Sequence, residues 1–271
     1  VLVWVEGDQE VDLDHPAAIL FEQGPERARR RRGPVHAWPV LIHDHLRDRF
    51  GGEVDPVARG DRPSVGFCGQ ASAPWAGHAR LLAGKARQRA AHALGRTDRL
   101  AGPWASHLRL RRRALDLLAA DDRIATDFVV RDRYRAGVTA HAERADRTSP
   151  TATDFFTNIR RTAYTVCVRG GGNFSTRLYE TLCLGRIPVI VDTDLVLPWS
   201  DRVAWDEVAV VVPADRLDRL ADRVVDHHGA LDEIAFAERQ QACRTLWEQR
   251  LSVDGYFGHL PDLLSELAAR P

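Results

Sequence analysis

Tyr164-Thr-Val-Cys-Val-Arg169-Gly-Gly-Gly-Asn-Phe-Ser175-Thr176-Arg177-Leu-Tyr-Glu180-Thr-Leu-Cys-Leu-Gly185-Arg-Ile-Pro188-Val-Ile-Val191 is the stretch that decides the fold. Its β-rich run Tyr164 to Val168 predicts a buried strand, Ser175 to Leu184 a helix, and Pro188 to Val191 the next strand. Between the first strand and the helix lie three glycines. Glycine lets the backbone approach a ligand closely, and a helix start offers unpaired N–H groups with partial positive charge. Together they form a place for a diphosphate. Arg169 at the strand end and Arg177 in the first helical turn can both point at one anion. Gly170, Gly171, Ser175 and Thr176 complete the expected diphosphate contacts in this stretch. Glu180 lies three residues after Arg177 on roughly the same helical face, where its carboxylate can accept hydrogen bonds from ribose hydroxyls. Ser175 can equally be a plain helix cap, and Glu180 can pair with Arg177 or Arg186.

Working outward, short β-rich runs alternate with helical patterns. Ser64 to Gly69 reads as a buried strand that turns sharply at Gly69, a further expected diphosphate contact. Arg80 to Leu94 and Leu108 to Ala120 read as helices, Phe128 to Val130 as a strand and Asp154 to Ala163 as a helix with an acidic first turn. Val208 to Val212 is another strand, and the chain from Leu217 onward is mostly helical, ending in Tyr256 to Leu267. This alternation predicts an α/β fold with a Rossmann-like parallel sheet covered by helices on both faces. Upstream, Val1 to Val5 and Ala17 to Phe21 read as strands and Leu41 to Phe50 as a helix. Gly51 to Pro63, rich in Gly, Pro and Asp, marks a linker. The expected division is 1–62 as a short partial N-terminal α/β region with linker, 63–222 as a nucleotide-binding domain, and 223–271 as C-terminal helices packing on it.

Composition excludes several classes. The 38 basic residues are balanced by 38 acidic ones, so the chain has no general attraction to nucleic acid or an anionic membrane. No apolar run reaches 18 residues, and no signal-peptide pattern opens the chain; the expectation is a cytoplasmic protein without a membrane span. Cys68, Cys167, Cys183 and Cys243 are widely spaced in apolar contexts, which suits reduced core residues and not a zinc site. Lys85 is the single lysine among many arginines, a bias that fits a GC-rich bacterial genome and suits two-point phosphate contacts. The chain opens at Val1 without any methionine, which fits an alternative start codon or a truncation.

One resemblance ties these pieces together. Arg169-Gly170, Ser175-x-Arg177-Leu-Tyr-Glu180-x-Leu-x-x-Gly185-x-Ile187-Pro188-Val-Ile, then Val196-Leu197-Pro198-Trp199 and Val203-x-Trp205-x-Glu207 resemble the C-terminal signature of exostosin-family glycosyltransferases. Val65 to Gly69 also resembles the opening of that family's donor domain. The resemblance, covering about Pro63 to Val212, implies an inverting transferase with a fold of two facing Rossmann-like domains, the GT-B type, of which this chain carries the C-terminal half. It implies a nucleotide-sugar donor, commonly a UDP-sugar, and a glycan or other hydroxyl acceptor; no cofactor is expected, because the glycine loop, the helix start and two arginines already neutralise the diphosphate. It assigns Arg169, Ser175 and Arg177 to the diphosphate and Glu180 to the ribose. The sequence departs from the family at Asp192-Thr193-Asp194, where relatives carry a Ser-Asp-Gly-like turn. The part before Pro63 is also too short for a complete acceptor domain, so a non-catalytic binding module serving a partner subunit is the chief rival. A dinucleotide enzyme is disfavoured because no G-x-G-x-x-G opens the sheet.

Other candidates have plainer readings beside them. Asp192 and Asp194 have the spacing of a divalent-cation motif, but Asp in a turn after a strand is favoured for local hydrogen bonding, and no metal is expected. His43-Asp44-His45 and His227-His228 read as surface histidines. Trp199 and Trp205 read as core, with sugar stacking the alternative. Arg29 to Arg32 reads as a solvated charge run. The catalytic base is not selected: Glu6, Asp8 and Asp44 are all open.

Overall fold

The computed structural model of the chain describes residues 1–8, 10–13, 15, 18–29, 34–71, 75–100, 106–132 and 149–268. The first strands are β1 (Leu2–Val5), β2 (Glu10–Val11), β3 (Ile19–Glu22) and β4 (Val35–Ala37), followed by helix α1 (His45–Phe50). β1, β3 and β4 form a parallel sheet in the order β1-β3-β4. After the segment 51–63 come β5 (Ser64–Gln70), α2 (Trp75–Ala93), β6 (Arg99–Leu100), α3 (His107–Ala119) and β7 (Ala125–Arg131). Then follow α4 (Pro150–Arg161), β8 (Tyr164–Val168), α5 (Thr176–Cys183), β9 (Ile187–Asp192), α6 (Trp205–Val208) and β10 (Val210–Pro213). Helices α7 (Leu220–Gly229), α8 (Glu233–Leu246) and α9 (Val253–Ala268) close the chain.

The main sheet is five-stranded and parallel, in the order β10-β9-β8-β5-β7. From β5 the chain first adds β7 on one side and then β8, β9 and β10 on the other. The order therefore reverses between β5 and β8, and in open α/β sheets ligands bind at such a switch point, outside the carboxyl ends of the strands. β8 is buried along its whole length, and β9 except at Asp192. Strands covered on both faces read as near-continuous apolar runs, which is what Tyr164 to Val168, Thr165 apart, and Ile187 to Val191 are.

Caps correct two predicted helix starts. α4 begins at Pro150, not Asp154, because the Ser149 hydroxyl accepts from Ala152 N–H and proline suits the first helical position. The helix expected from Leu41 begins only at His45, because Asp44 caps it by accepting from Arg47 N–H at 3.1 Å. The predicted linker carries no helix or strand, yet it is tied down. Gln240, fully buried, accepts from Val57 N–H and donates to Val57 C=O, and His228 Nε2 lies 2.8 Å from the Gly60 carbonyl.

The C-terminal helix bridges the two sheets. Tyr256 of α9 lies 6.2 Å from Trp4 and 6.5 Å from Trp38 on the N-terminal side, and 5.4 Å from Trp199 on the other. Trp199 and Trp205 are buried, their indole N–H groups donating to the Arg250 and Pro198 carbonyls, so both are core residues. All four cysteines are buried free thiols. His227-His228 needs correction. His228 is 3% exposed, and both rings approach the buried Tyr164 hydroxyl, so this is a packed helix end and not a surface one. Burial pulls the His227 imidazole down to about 4, helped by the charges of Arg239, His228 and Arg223.

Candidate anion site at the switch point

The glycine loop leaves β8 at its carboxyl end, beside the end of β5. Gly170 N–H donates to the Phe174 carbonyl at 2.8 Å, which closes the loop on itself. Asn173 is buried, and its side-chain oxygen accepts from the Thr193 hydroxyl at 2.5 Å. The N-terminal region reaches this loop directly. Asp8 Oδ1 accepts from Gly172 N–H at 3.0 Å, and a Cβ at Gly171 would collide with Asp8 Oδ2. At Gly24 (φ +77) a Cβ would stand 2.5 Å from the Asn173 carbonyl, so that close approach needs glycine. The loop thus already receives a negatively charged oxygen on its backbone.

Arg169 follows β8 and is 2% exposed. Beside it, Arg111 of α3 donates to the Gln70, Val168 and Arg169 carbonyls at 2.6, 3.3 and 3.1 Å, joining the ends of β5 and β8. One turn earlier on the same helix, His107 is drawn down to about 4 by burial and by the charges of Arg111, Arg169 and Lys85, with Asp8 pulling the other way. Lys85 of α2 is 8% exposed and lowered to about 8 by burial, Arg169 and Arg89, against Glu26. The fold therefore gathers Lys85, His107, Arg111 and Arg169 at one end of the sheet. Sequence reading identified only Arg169 of these. Lys85 carried one signal, its being the sole lysine; nothing in the local pattern singled out His107 or Arg111.

The other expected residues take the following places. Arg177 Nη2 donates to the Cys68 carbonyl at 2.8 Å, and its guanidinium lies 4.3 Å from the Phe67 ring centre and 5.4 Å from that of Phe155. Gly69 (φ +152) lies beneath it, for a Cβ there would come 2.7 Å from Arg177 Nη2. Ser175 stands at the N-cap of α5 but makes no side-chain capping bond, and Thr176 begins the helix, exposed. Glu180 is half-buried in the second turn. Arg186 is fully engaged elsewhere, all three of its nitrogens donating to the carbonyls of Arg160, Leu184, Gly185 and Asp55.

Asp192 and Asp194 are held by the N-terminal segment. Arg27 Nη2 lies 2.6 Å from Asp192 Oδ2 and Arg27 Nε 3.5 Å from Asp194 Oδ1. Asp192 also accepts from Leu195 N–H, the turn bonding expected of such a residue, whereas Asp194 accepts from Ala28 N–H, far away in the chain. Among the described residues no group of three or more His, Cys, Asp or Glu could hold a metal ion. Asp44 is removed from the candidate bases: it receives Arg244 Nη1 and Nη2 at 2.8 and 2.7 Å, and Arg244 is 2% exposed. Arg29 pairs with Glu26 at 2.6 Å; the rest of that arginine run lies outside the described residues. No helix among the described residues is long and apolar enough to cross a membrane.

These features define a Rossmann-like α/β domain with an anion-receiving glycine loop at its switch point. Residues 119–226 match the family model of the exostosin GT47 domain. The chain is similar to the probable glucuronosyltransferase GUT1 of Oryza sativa subsp. japonica, 38% identical over 66 residues, 24% of this chain and 16% of that protein. It is similar also to the probable beta-1,4-xylosyltransferase IRX10 of Arabidopsis thaliana, 37% identical over 60 residues, 22% of this chain and 15% of that protein. The matches thus span 16% or less of these two relatives' length. Among solved structures, TarM aligns with a TM-score of 0.39 and 9% identity, over 92% of this chain and 51% of that one. A glycosyltransferase from Rickettsia africae ESF-5 aligns with a TM-score of 0.38 and 10% identity, over 94% of this chain and 71% of that one.

Proposed function

We propose that this chain binds a nucleotide-sugar donor, of the UDP-sugar kind, and transfers its sugar with inversion to a hydroxyl acceptor such as a glycan. The observation that carries the reading is the Gly172 N–H donating to a carboxylate oxygen at the switch point, within a loop flanked by Arg169 and the start of α5. A loop that takes a carboxylate oxygen can take a phosphate oxygen. In this reading Gly171, Ser175 and Thr176 meet the diphosphate through backbone and hydroxyl groups, while Gly170, whose N–H is held by the Phe174 carbonyl, shapes the loop beside it. Arg169 and Arg177 supply charge, Gly69 leaves room for Arg177, and Glu180 accepts from the ribose. Lys85, which feels the Arg169 charge, adds to the positive field there.

The reaction needs a stable leaving group more than anything else. As the acceptor oxygen attacks the anomeric carbon, the bond to the diphosphate breaks and charge builds on its bridging oxygen. Fixed cations and a helix start stabilise that charge without reorganising, usually the largest single contribution to such catalysis. The names of the relatives make UDP-glucuronic acid and UDP-xylose the first donors to try. Titration calorimetry with UDP, uridine and NAD tests the reading. UDP should bind at least ten times more tightly than uridine, and NAD weakly; NAD binding as tight as UDP would return the domain to the dinucleotide class.

A further inference from the structure

We propose that Asp8 is a placeholder for the donor's phosphate, an autoinhibitory carboxylate that fills the glycine loop until the diphosphate expels it; the inference rests on the transferase reading above. Asp8 stands in the bend after β1. Its Oδ1 accepts from Gly172 N–H at 3.0 Å, and its Oδ2 lies where a Cβ at Gly171 would collide with it. A Cβ at Gly172 would come 3.0 Å from the Asp8 Cα. The carboxylate therefore covers one face of Gly171 and Gly172, between Arg169 and the start of α5, and only glycine lets it come so close. A phosphate oxygen brought to the same N–H would meet a group of like charge at contact distance. The two anions exclude each other.

Asp8 is built to exchange. It is exposed, so water can receive the carboxylate as it leaves the loop. Gly7 before it adopts φ +88, and a Cβ there would meet nothing within 4 Å, so the backbone next to Asp8 has both room and conformational freedom. Its flanks are fixed: Gly7 N–H donates to Gln23 Oε1 at 3.0 Å, and Val11 N–H to Glu22 Oε1 at 2.7 Å. Asp8 can thus move while β1 and β2 stay in place. The surroundings suit an anion in either state, because the charge of Asp8 reaches His107 against those of Arg111, Arg169 and Lys85. Without donor the carboxylate supplies negative charge to this end of the sheet; with donor the diphosphate does. A ligand whose place is filled binds with an affinity reduced by the fraction of chains in which that place is free. Donor binding is therefore weaker than the loop alone would allow.

The test measures binding of UDP, pyrophosphate and uridine by calorimetry to the wild type, Asp8→Ala and Asp8→Asn, together with exchange of the Gly172 amide hydrogen by NMR. Pyrophosphate carries only the anion, and uridine only the nucleoside. Asp8→Ala should bind UDP and pyrophosphate at least about fivefold more tightly than the wild type, with uridine unchanged. Asp8→Asn, close in shape but uncharged, should gain in the same direction, which guards against a folding defect in the alanine variant. Without ligand the Gly172 amide should exchange at least about threefold faster in Asp8→Ala than in the wild type, and UDP should slow it again. Variants that bind UDP and pyrophosphate no more tightly than the wild type would overturn the inference and leave Asp8 a strut of the loop. So would a Gly172 amide that exchanges equally fast in the wild type and Asp8→Ala, or a gain that uridine shares. Tighter pyrophosphate binding without any binding of UDP sinks instead the nucleotide-sugar reading and keeps the placeholder. Failure of all three proteins to bind either anion overturns both.

Discussion

Arg177 offers the sharpest check on how the site is built, because the structure gives it work to do before any ligand arrives. Its guanidinium is held by the Cys68 carbonyl at the carboxyl end of β5 and lies between the Phe67 and Phe155 rings. A hydrogen bond from a charged donor contributes about 1.5–3 kcal/mol, and a partly exposed cation–π contact about 0.5–1 kcal/mol. These do not add fully, since the three partners share one group, so Arg177→Ala should cost about 2–3 kcal/mol of stability without ligand. For a chain of this length that lowers Tm by roughly 4–12 °C. UDP affinity should fall as well, by about tenfold, as one diphosphate contact goes and the end of β5 loosens. Thermal unfolding followed by circular dichroism, with and without saturating UDP, reads both effects. Were Arg177 purely a ligand contact, the variant would melt with the wild type in the absence of UDP. That result would refute the claim that it ties β5 to α5.

The remaining expectations concern charge. If protein cations alone neutralise the diphosphate, sugar transfer should persist in excess chelator; full loss that manganese restores would instead make Asp192 and Asp194 ligands. Lys85, lowered to about 8 by burial, Arg169 and Arg89 against Glu26, should lose its charge as pH rises through that value. UDP affinity should then weaken from pH 7 to 9 in the wild type and stay flatter in Lys85→Met, as calorimetry at each pH would show. Asp44→Ala should destabilise the chain by about 3 kcal/mol in urea unfolding at pH 7, because it leaves a buried guanidinium with Glu248, half-exposed, as its remaining ion partner. Burial raises the Asp44 carboxyl, but Arg244 and the Arg47 N–H outweigh it and hold it below 3.8. Its contribution is therefore complete above the unfolded value and lost as pH falls through the lower folded one, so the wild-type and variant curves should converge in acid.

Legibility in the sequence followed burial on both faces. The strands β8 and β9 and the helix between them announced themselves because a doubly covered strand is apolar at nearly every position, and because α5 shows one apolar face at helical spacing. The same regularity made the glycine loop visible, and with it the residues around Arg169. What could not be read was which of the many arginines are interior. Arg169, Arg186 and Arg244 are each 2% exposed or less, yet nothing local distinguishes them from their solvated neighbours. A buried guanidinium is decided by distant partners: carbonyls of Arg160 and Asp55 for Arg186, the carboxylate of Asp44 for Arg244. The histidine pair at 227–228 was misread for the same reason, since its burial depends on Tyr164 and Gly60, far away in the chain.

The turn after β9 shows how spacing can mislead while chemistry does not. Asp192-Thr193-Asp194 is spaced like a cation motif, and its carboxylates do hold a cation, but that cation is Arg27. Around it, Arg27 N–H donates to the Asp194 carbonyl and Val196 N–H to that of Pro25, with an antiparallel bridge between Glu26 and Leu195, so the N-terminal segment is clasped to the turn after β9. Asp194 adopts φ 70, a left-handed conformation that aspartate tolerates better than most residues. Between the two carboxylates, Thr193 donates to Asn173 of the glycine loop, whose carbonyl lies against Gly24. The clasp and the loop are therefore one connected structure, running from Arg27 through Thr193 and Asn173 to Gly172 and Asp8. Asp8 is held at the glycine loop in a region that Gly24 and Arg27, just after β3, also anchor, Gly24 against Asn173 and Arg27 against the turn after β9. The polar residues that a lone sequence invites one to assign to a metal thus brace the glycine loop against the N-terminal region.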